Sequence, residues 1–256
     1  GHEHSLLIGE PPPTIQATIA TSPSGRAITV DAVNYTAPIT QSWIAGSSHT
    51  IAVNGTTQNG AAGVRYVWST WSDGGAASHS VTAPSGNTTY TANFATEYLL
   101  TMQSPSGSGS VTPSVGDHWY ASGQSVTLTA TPGGGYGFVR WELSTGNTTT
   151  NPYTFNISQP VTARAVFAPY RQITVASSPT GRAITVDGAN YTAPQTFTWL
   201  EGSSHTIAVN GTTQENGAET RYVWLNWSDA GAASHSITVP GSNQTYTANF
   251  KTCLLY

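Results

Sequence analysis

The sequence predicts an all-β protein: three tandem small antiparallel β modules, of β-sandwich or β-grasp-like form, in an elongated array. Three observations carry this. The chain repeats itself, its composition is that of strands and turns, and no stretch shows the i, i+3, i+4, i+7 apolar stripe of a long helix. Thr21 to Thr96 aligns without a gap onto Ser177 to Thr252 at a constant offset of 156, with about 70% of positions identical. Both copies carry SP(S/T)GRAITVD, NYTAP, GSSHTIAVNGTTQ, RYVW, WSD, GAASHS and TYTANF. A diverged relative lies between them. Ser104 to Gly107 matches the opening, Gly123 to Leu128 matches GSSHTI, Tyr136 to Trp141 matches the aromatic segment, and Ala163 to Phe167 matches the close.

Residues 1–14, with Pro11-Pro12-Pro13, read as an extended linker. The modules then span 15–96, 97–168 and 169–252, each large enough for a small core of its own. Within them, period 2 puts Ile28 and Val30 on one face and Thr29 and Asp31 on the other. Tyr90, Ala92 and Phe94 likewise oppose Thr91 and Asn93, the pattern of half-buried antiparallel strands. Gly25, Gly107 and Gly181 mark turns before a strand, and Asn54-Gly55 and Asn210-Gly211 are hairpin-type turn signals. Residues 253–256, CLLY, are either the start of a truncated next unit or a sequencing artefact, since a common library adaptor encodes that string.

Composition narrows the function. Only 8% of residues are charged, against about 25% in ordinary soluble domains. Their place is taken by polar and turn-forming residues, among them forty Thr, while eight Trp, twelve Tyr and six Phe argue against disorder. A net charge of -4 leaves no basic stripe for nucleic acid or an anionic membrane. No apolar run is long enough for a transmembrane helix, and the start lacks a signal peptide, so the chain reads as soluble and as a piece of something longer. One Cys excludes an intrachain disulfide.

The middle unit, with Gly107-Ser108-Gly109-Ser110-Val111, Tyr120 three residues before Gly123, then SVTLTATP, GYGFVRW and VTARAVF, resembles the divergent internalin-B-type B repeats of bacterial extracellular proteins. The outer units resemble a longer variant whose first half, SPSGRAITVDAVNYTAP, is similar to PEGA-type modules. The resemblance implies small all-β units in tandem, a secreted or cell-surface location and no catalytic residues.

The residues themselves point the same way. There is no G-x-S-x-G, H-E-x-x-H or Walker loop, and Gly133-Gly134-Gly135 has no helix after it to cradle phosphate. His49 and His205, and His79 and His235, recur at matching positions, but Val126 and Tyr153 replace them in the middle unit, so they read as packed or edge residues. His2 and His4 lack further ligands for a closed metal site, and Asp73 and Asp229 read as turn residues bonding their own backbone. No metal and no cofactor is expected. Nine N-x-S/T sequons occur, at Asn34, Asn54, Asn87, Asn147, Asn156, Asn190, Asn210, Asn226 and Asn243, which a bacterial host would leave bare.

Aromatics supply the remaining candidates. Trp71, Trp141 and Trp227 align in all three units, and Trp68 and Trp224 align with Phe138, as core positions do. Trp43 and Trp199 align with Tyr120, and their same-face neighbour changes from Gln41 to Phe197 between copies, which suggests a partly exposed face. With Trp119 and Tyr120 they are the candidate glycan platform. The favoured expectation is a non-catalytic stalk or adhesion segment of a large secreted or cell-surface bacterial protein. The alternatives are a carbohydrate-binding accessory region of a polysaccharide-degrading enzyme and a self-associating filament subunit that donates residues 1–14 as a strand.

Overall fold

A computed structural model describes residues 13–215, 217 and 220–254. These residues contain strands, turns and bends but no helix. The first repeat supplies β1 (Thr14–Ser22), β2 (Ala27–Val30), β3 (Val33–Thr36), β4 (Ile39–Ile44), β5 (Ser48–Val53), β6 (Thr57–Asn59), β7 (Val64–Trp71), β8 (Ser78–Thr82) and β9 (Thr88–Met102). The middle one supplies β10 (Gly109–Thr112), β11 (Gly116–Ala121), β12 (Ser125–Pro132), β13 (Tyr136–Leu143), β14 (Tyr153–Asn156) and β15 (Val161–Ser178). The last supplies β16 (Ala183–Val186), β17 (Ala189–Thr192), β18 (Gln195–Leu200), β19 (Ser204–Val209), β20 (Thr213–Glu215), β21 (Thr220–Trp227), β22 (Ser234–Thr238) and β23 (Gln244–Leu254).

The chain divides into two compact units. The first holds residues up to Met102 with Gly116–Thr127 and Thr154–Thr162, and the second holds Gln103–Val115, Leu128–Tyr153 and the chain from Ala163 onward.

In the first unit, β1 is antiparallel to β4 and parallel to β9, β9 pairs with β7, and β7 with β6. A second sheet runs β3, β2, β5, β8. The core lies among Ile15, Ala17, Ile19, Ile28, Val30, Ile51, Trp71, Ala92 and Phe94, every other residue of its strands. Along β9, residues Glu97 to Met102 pair with β11 on one edge while Glu97 and Tyr98 pair with β7 on the other, so a strand that closes the first repeat also opens the next.

The second unit repeats this plan. The 170–175 part of β15 is antiparallel to β18, its 173–178 part is parallel to β23, and β23 pairs with β21. A second sheet runs β17, β16, β19, β22 over Ile173, Val175, Ile184, Val186, Ile207, Trp227 and Ala248. Registers match those of the first unit at the 156-residue offset, including a bulge after Trp68 and again after Trp224. The first half of β15 also carries β13, with the corresponding bulge after Phe138. Here Gly107 and Gly109 are obligatory, because a Cβ on Gly107 would meet Phe167 O at 2.4 Å and one on Gly109 would meet the Phe167 ring at 2.4 Å.

Three turn and boundary expectations change. Asn54-Gly55 and Asn210-Gly211 are not hairpin turns, since β5 pairs with β2 and β8, and the turn instead carries the chain into β6. The two-residue hairpin turns are Asp31-Ala32 (φ 48° and 65°) and Asp187-Gly188 (φ 49° and 82°), left-handed at both positions as a type I′ turn requires. Thr14, expected at the end of a linker, opens β1, and Pro13 O accepts from Ala45 N. Residues 1–12 of that linker, with His2 and His4, lie outside the described residues, as do Leu255 and Tyr256, whereas Cys253 and Leu254 extend β23 opposite Arg221 and Thr220.

Candidate functional site

Two side-chain networks recur in both outer repeats. The first begins at the type I′ turn, which points the Asp31 carboxylate at β5. Its Oδ1 accepts from Thr50 N at 2.8 Å, and its Oδ2 lies 2.7 Å from His49 Nδ1. His49 Nε2 lies 2.8 Å from Ser47 Oγ, and the imidazole stacks on Trp43 at 4.0 Å between centroids and 6° between planes. In the last repeat Asp187, His205, Ser203 and Thr206 make the same contacts at 2.7, 2.9 and 2.8 Å, with His205 stacked on Trp199 at 3.7 Å.

An Asp–His–Ser chain at these distances is the constellation that activates a serine nucleophile. Its surroundings assign it another role. Ser47 Oγ donates to Ile44 O at 2.6 Å, so its proton is not directed at His49. The N–H groups of Ala45, Gly46 and Ser47 are engaged by Pro13 O, Ala83 O and Ile44 O, and those of Glu201, Gly202 and Ser203 by Pro169 O, Val239 O and Leu200 O. No neighbouring pair is left to hold an oxyanion. The chain of contacts is a clamp tying the β2–β3 turn to the β4–β5 turn, and likewise β16–β17 to β18–β19.

The second network is more local. His79 places Nδ1 2.8 Å from Ala76 O and Nε2 2.8 Å from Asp73 Oδ2, edge-on to Trp71, and Asp73 Oδ1 accepts from Gly75 N. His235 does the same with Ala232 O, Asp229 and Trp227. The atoms facing each ring are both oxygens, a backbone carbonyl and an aspartate carboxylate. Gly75 and Gly231 leave the room for this, since a Cβ there would lie 2.3 and 2.4 Å from the imidazole Nε2.

All four aspartates sit below the usual carboxylate range. Partial burial pushes each up, but hydrogen bonds from the histidine and a backbone N–H outweigh it. Among the described residues no group of three or more His, Cys, Asp or Glu is placed to hold a metal ion.

The glycan-platform residues fall differently from the sequence expectation. Trp43 is 3% exposed, with His49 on one face, so the partly open face expected there is not present. The polar neighbour that suggested exposure is satisfied inside: Gln41 donates to Tyr35 OH at 3.0 Å and accepts from Trp43 Nε1 at 3.3 Å. Trp199 is half-buried and sandwiched between Phe197 at 4.8 Å and His205. Trp119 lies under the Arg65 guanidinium at 4.4 Å, and Arg65 also bonds Glu97 at 2.6 Å. Three of the four candidate rings therefore have a face covered by the protein itself, and Tyr120 is half-buried. Trp71, Trp141 and Trp227 are buried, while Trp68, Trp224 and Phe138 are partly buried. In the second unit a shallow cleft of about 380 Å³ lies between the β13 bulge and the Leu200–Ser203 turn, with Arg140 and Glu201 as its charged groups.

A tandem all-β repeat is the class these features define. Residues 98–171 match the family model of the divergent InlB B-repeat domain. That match leaves out the first halves of the outer units, and the PEGA-type resemblance expected there has no match beside it. Solved structures overlap with the chain at low TM-scores. The Bacillus anthracis TIE protein overlaps at a TM-score of 0.33 with 8% identity, over 95% of this chain and 51% of that one. BcpA, the major pilin subunit of Bacillus cereus, gives 0.31 with 5% identity over 93% and 99%. Streptococcal SHIRT domains 3-4 from a cell surface protein give 0.22 with 16% identity over 62% and 99%. The chain thus spans about half the length of the Bacillus anthracis protein. No curated protein matches the sequence. Among the described residues no helix is long and apolar enough to cross a membrane.

Proposed function

We propose that this chain is a non-catalytic stalk or adhesion segment of a large secreted or cell-surface bacterial protein, built from modules at 15–96, 97–168 and 169–252. The observation that supports it most is the continuity of β9 and β15. Each closes one repeat and opens the next without a linker, an economical way to extend a chain of repeats. The B-repeat match of the middle module points to the same setting. The recurring histidines and aspartates serve turns in this reading and leave no reactive group poised for a substrate.

The test is location. An antibody against the last repeat should label intact source cells or their medium, and labelling that appears only after lysis would overturn the proposal. A carbohydrate-binding role would need an open ring face. It would be established by retention on insoluble glycans that Tyr120→Ala abolishes. The filament alternative depends on residues 1–14, and deleting 1–12 would have to abolish self-association.

A further inference from the structure

We infer that each outer repeat contains a mechanical clamp, the parallel pairing of its first and last strands, which bears tension along the chain by shear. The inference deepens the stalk reading and rests on it for its biological use, while its physics depends on topology alone. In the first unit β1 and β9 are neighbours and point the same way, in register over six pairs from Ala17↔Thr88 to Ser22↔Asn93. In the second, β15 and β23 do so over six pairs from Ile173↔Gln244 to Ser178↔Asn249. The chain enters the repeat at the start of the first strand and leaves past the end of the last.

Tension between those points drags the two strands in opposite directions along their common axis. Every rung of the ladder lies across the load and must yield together. An antiparallel pair pulled from its adjacent ends opens one rung at a time. β1 is also flanked by β4 on its other edge, so it cannot swing out of the sheet to escape shear. One face of the clamp is closed to water by Ala17, Ile19, Ala92 and Phe94, and by Ile173, Val175, Ala248 and Phe250 in the second unit. A rung that breaks there has no solvent partner at once, which favours its reforming. An extra rung guards the mouth: Asn87 Oδ1 accepts from Gln16 N at 2.8 Å, and Asn243 Oδ1 from Gln172 N at 2.9 Å. The second sheet of each repeat, all antiparallel, sits off the load path and carries force only after the clamp yields.

Single-molecule pulling of the full chain in two directions tests this. In a Cys253→Ser background, handles on Thr14→Cys and Ala95→Cys load β1 against β9 in shear. Handles on Thr14→Cys and Ile44→Cys peel β1 from β4, because Thr14 and Ile44 face each other at the ladder's end. All three handle positions are exposed. The events are told apart by length, roughly 26 nm for about 80 released residues against roughly 10 nm for about 30. The shear direction is expected to need at least twice the force of the peel direction at equal loading rate, and Asn87→Ala to lower the shear force alone. Equal forces, or a weaker shear direction, would overturn the clamp. The same comparison 156 residues on, Tyr170→Cys with Lys251→Cys against Tyr170→Cys with Leu200→Cys, provides an independent second copy. A clamp that fails leaves a surface location standing, and an intracellular location leaves the clamp standing, so the two ideas fall separately.

Discussion

The first and last repeats keep one backbone and one set of registers, yet differ at about three positions in ten, and the differences are compensated locally. Tyr191, Phe197, Trp199 and His205 form a continuous row of ring contacts in the last repeat, edge-on between Tyr191 and Phe197 and stacked from Phe197 to His205. In the first, Gln41 stands where Phe197 does, and it holds Tyr35 and Trp43 by hydrogen bonds instead of by faces. A polar residue is accommodated in an aromatic row because the rings on either side carry an O–H and an N–H to meet it. The turns show the reverse economy. Ala32 occupies a left-handed position where the last repeat has Gly188, and Ala230 does so where the first has Gly74. Each copy carries one strained alanine that the other avoids.

The largest expected effect lies in the core the two repeats share. Trp71→Ala or Trp227→Ala should each cost about 3 to 5 kcal/mol in denaturant unfolding, equally in both copies because both rings are buried against matching neighbours. Unequal losses would show that the two cores are not equivalent.

Acid should act on both copies alike. The four aspartates have folded values below their unfolded one, so they add stability above about pH 4 and lose it as pH falls through the lowered values. Thermal melts from pH 5 down to pH 2 should therefore fall, and the fall should be shallower in Asp73→Asn with Asp229→Asn. An unchanged slope would remove these pairs from the account. Gln41→Phe should rebuild the row of ring contacts seen in the last repeat and stabilise the first repeat by roughly 0.5 to 1.5 kcal/mol, measured by the same unfolding. The smallest effects belong to the turns. Ala32→Gly and Ala230→Gly should each stabilise by about 0.5 to 1 kcal/mol, the relief of left-handed strain less the greater unfolded entropy of glycine.

What the sequence disclosed follows from the range of each signal. The repeat offset and the strand faces were legible because a fixed spacing and a period of two are properties of the string itself, as at Ile28 and Val30. The clamps at His49 and His79 were not. Asp31 lies on a different strand turn from His49, and only the fold brings them within 2.7 Å. A signal existed in the fixed Asp-to-His spacing of both outer repeats, but spacing alone does not separate a turn clamp from a charge relay. Trp43 differs from its sequence expectation for a related reason. A polar neighbour implies exposure only where the interior offers it no partner, and Tyr35 OH is such a partner. Of the type I′ turns, Asp187-Gly188 carries the Asp-Gly signal in the sequence, whereas Asp31-Ala32 lacks the glycine.

The strands shared between successive repeats also bear on how such a chain grows and shrinks in a genome. A crossover between the two near-identical segments is in phase when it joins equivalent positions 156 residues apart, so it adds or removes an outer and a middle repeat as one parcel. A crossover out of phase by one residue within a shared strand would turn its buried face outward. An exchange at the 156-residue offset would therefore change the chain by a pair of repeats and leave every strand whole.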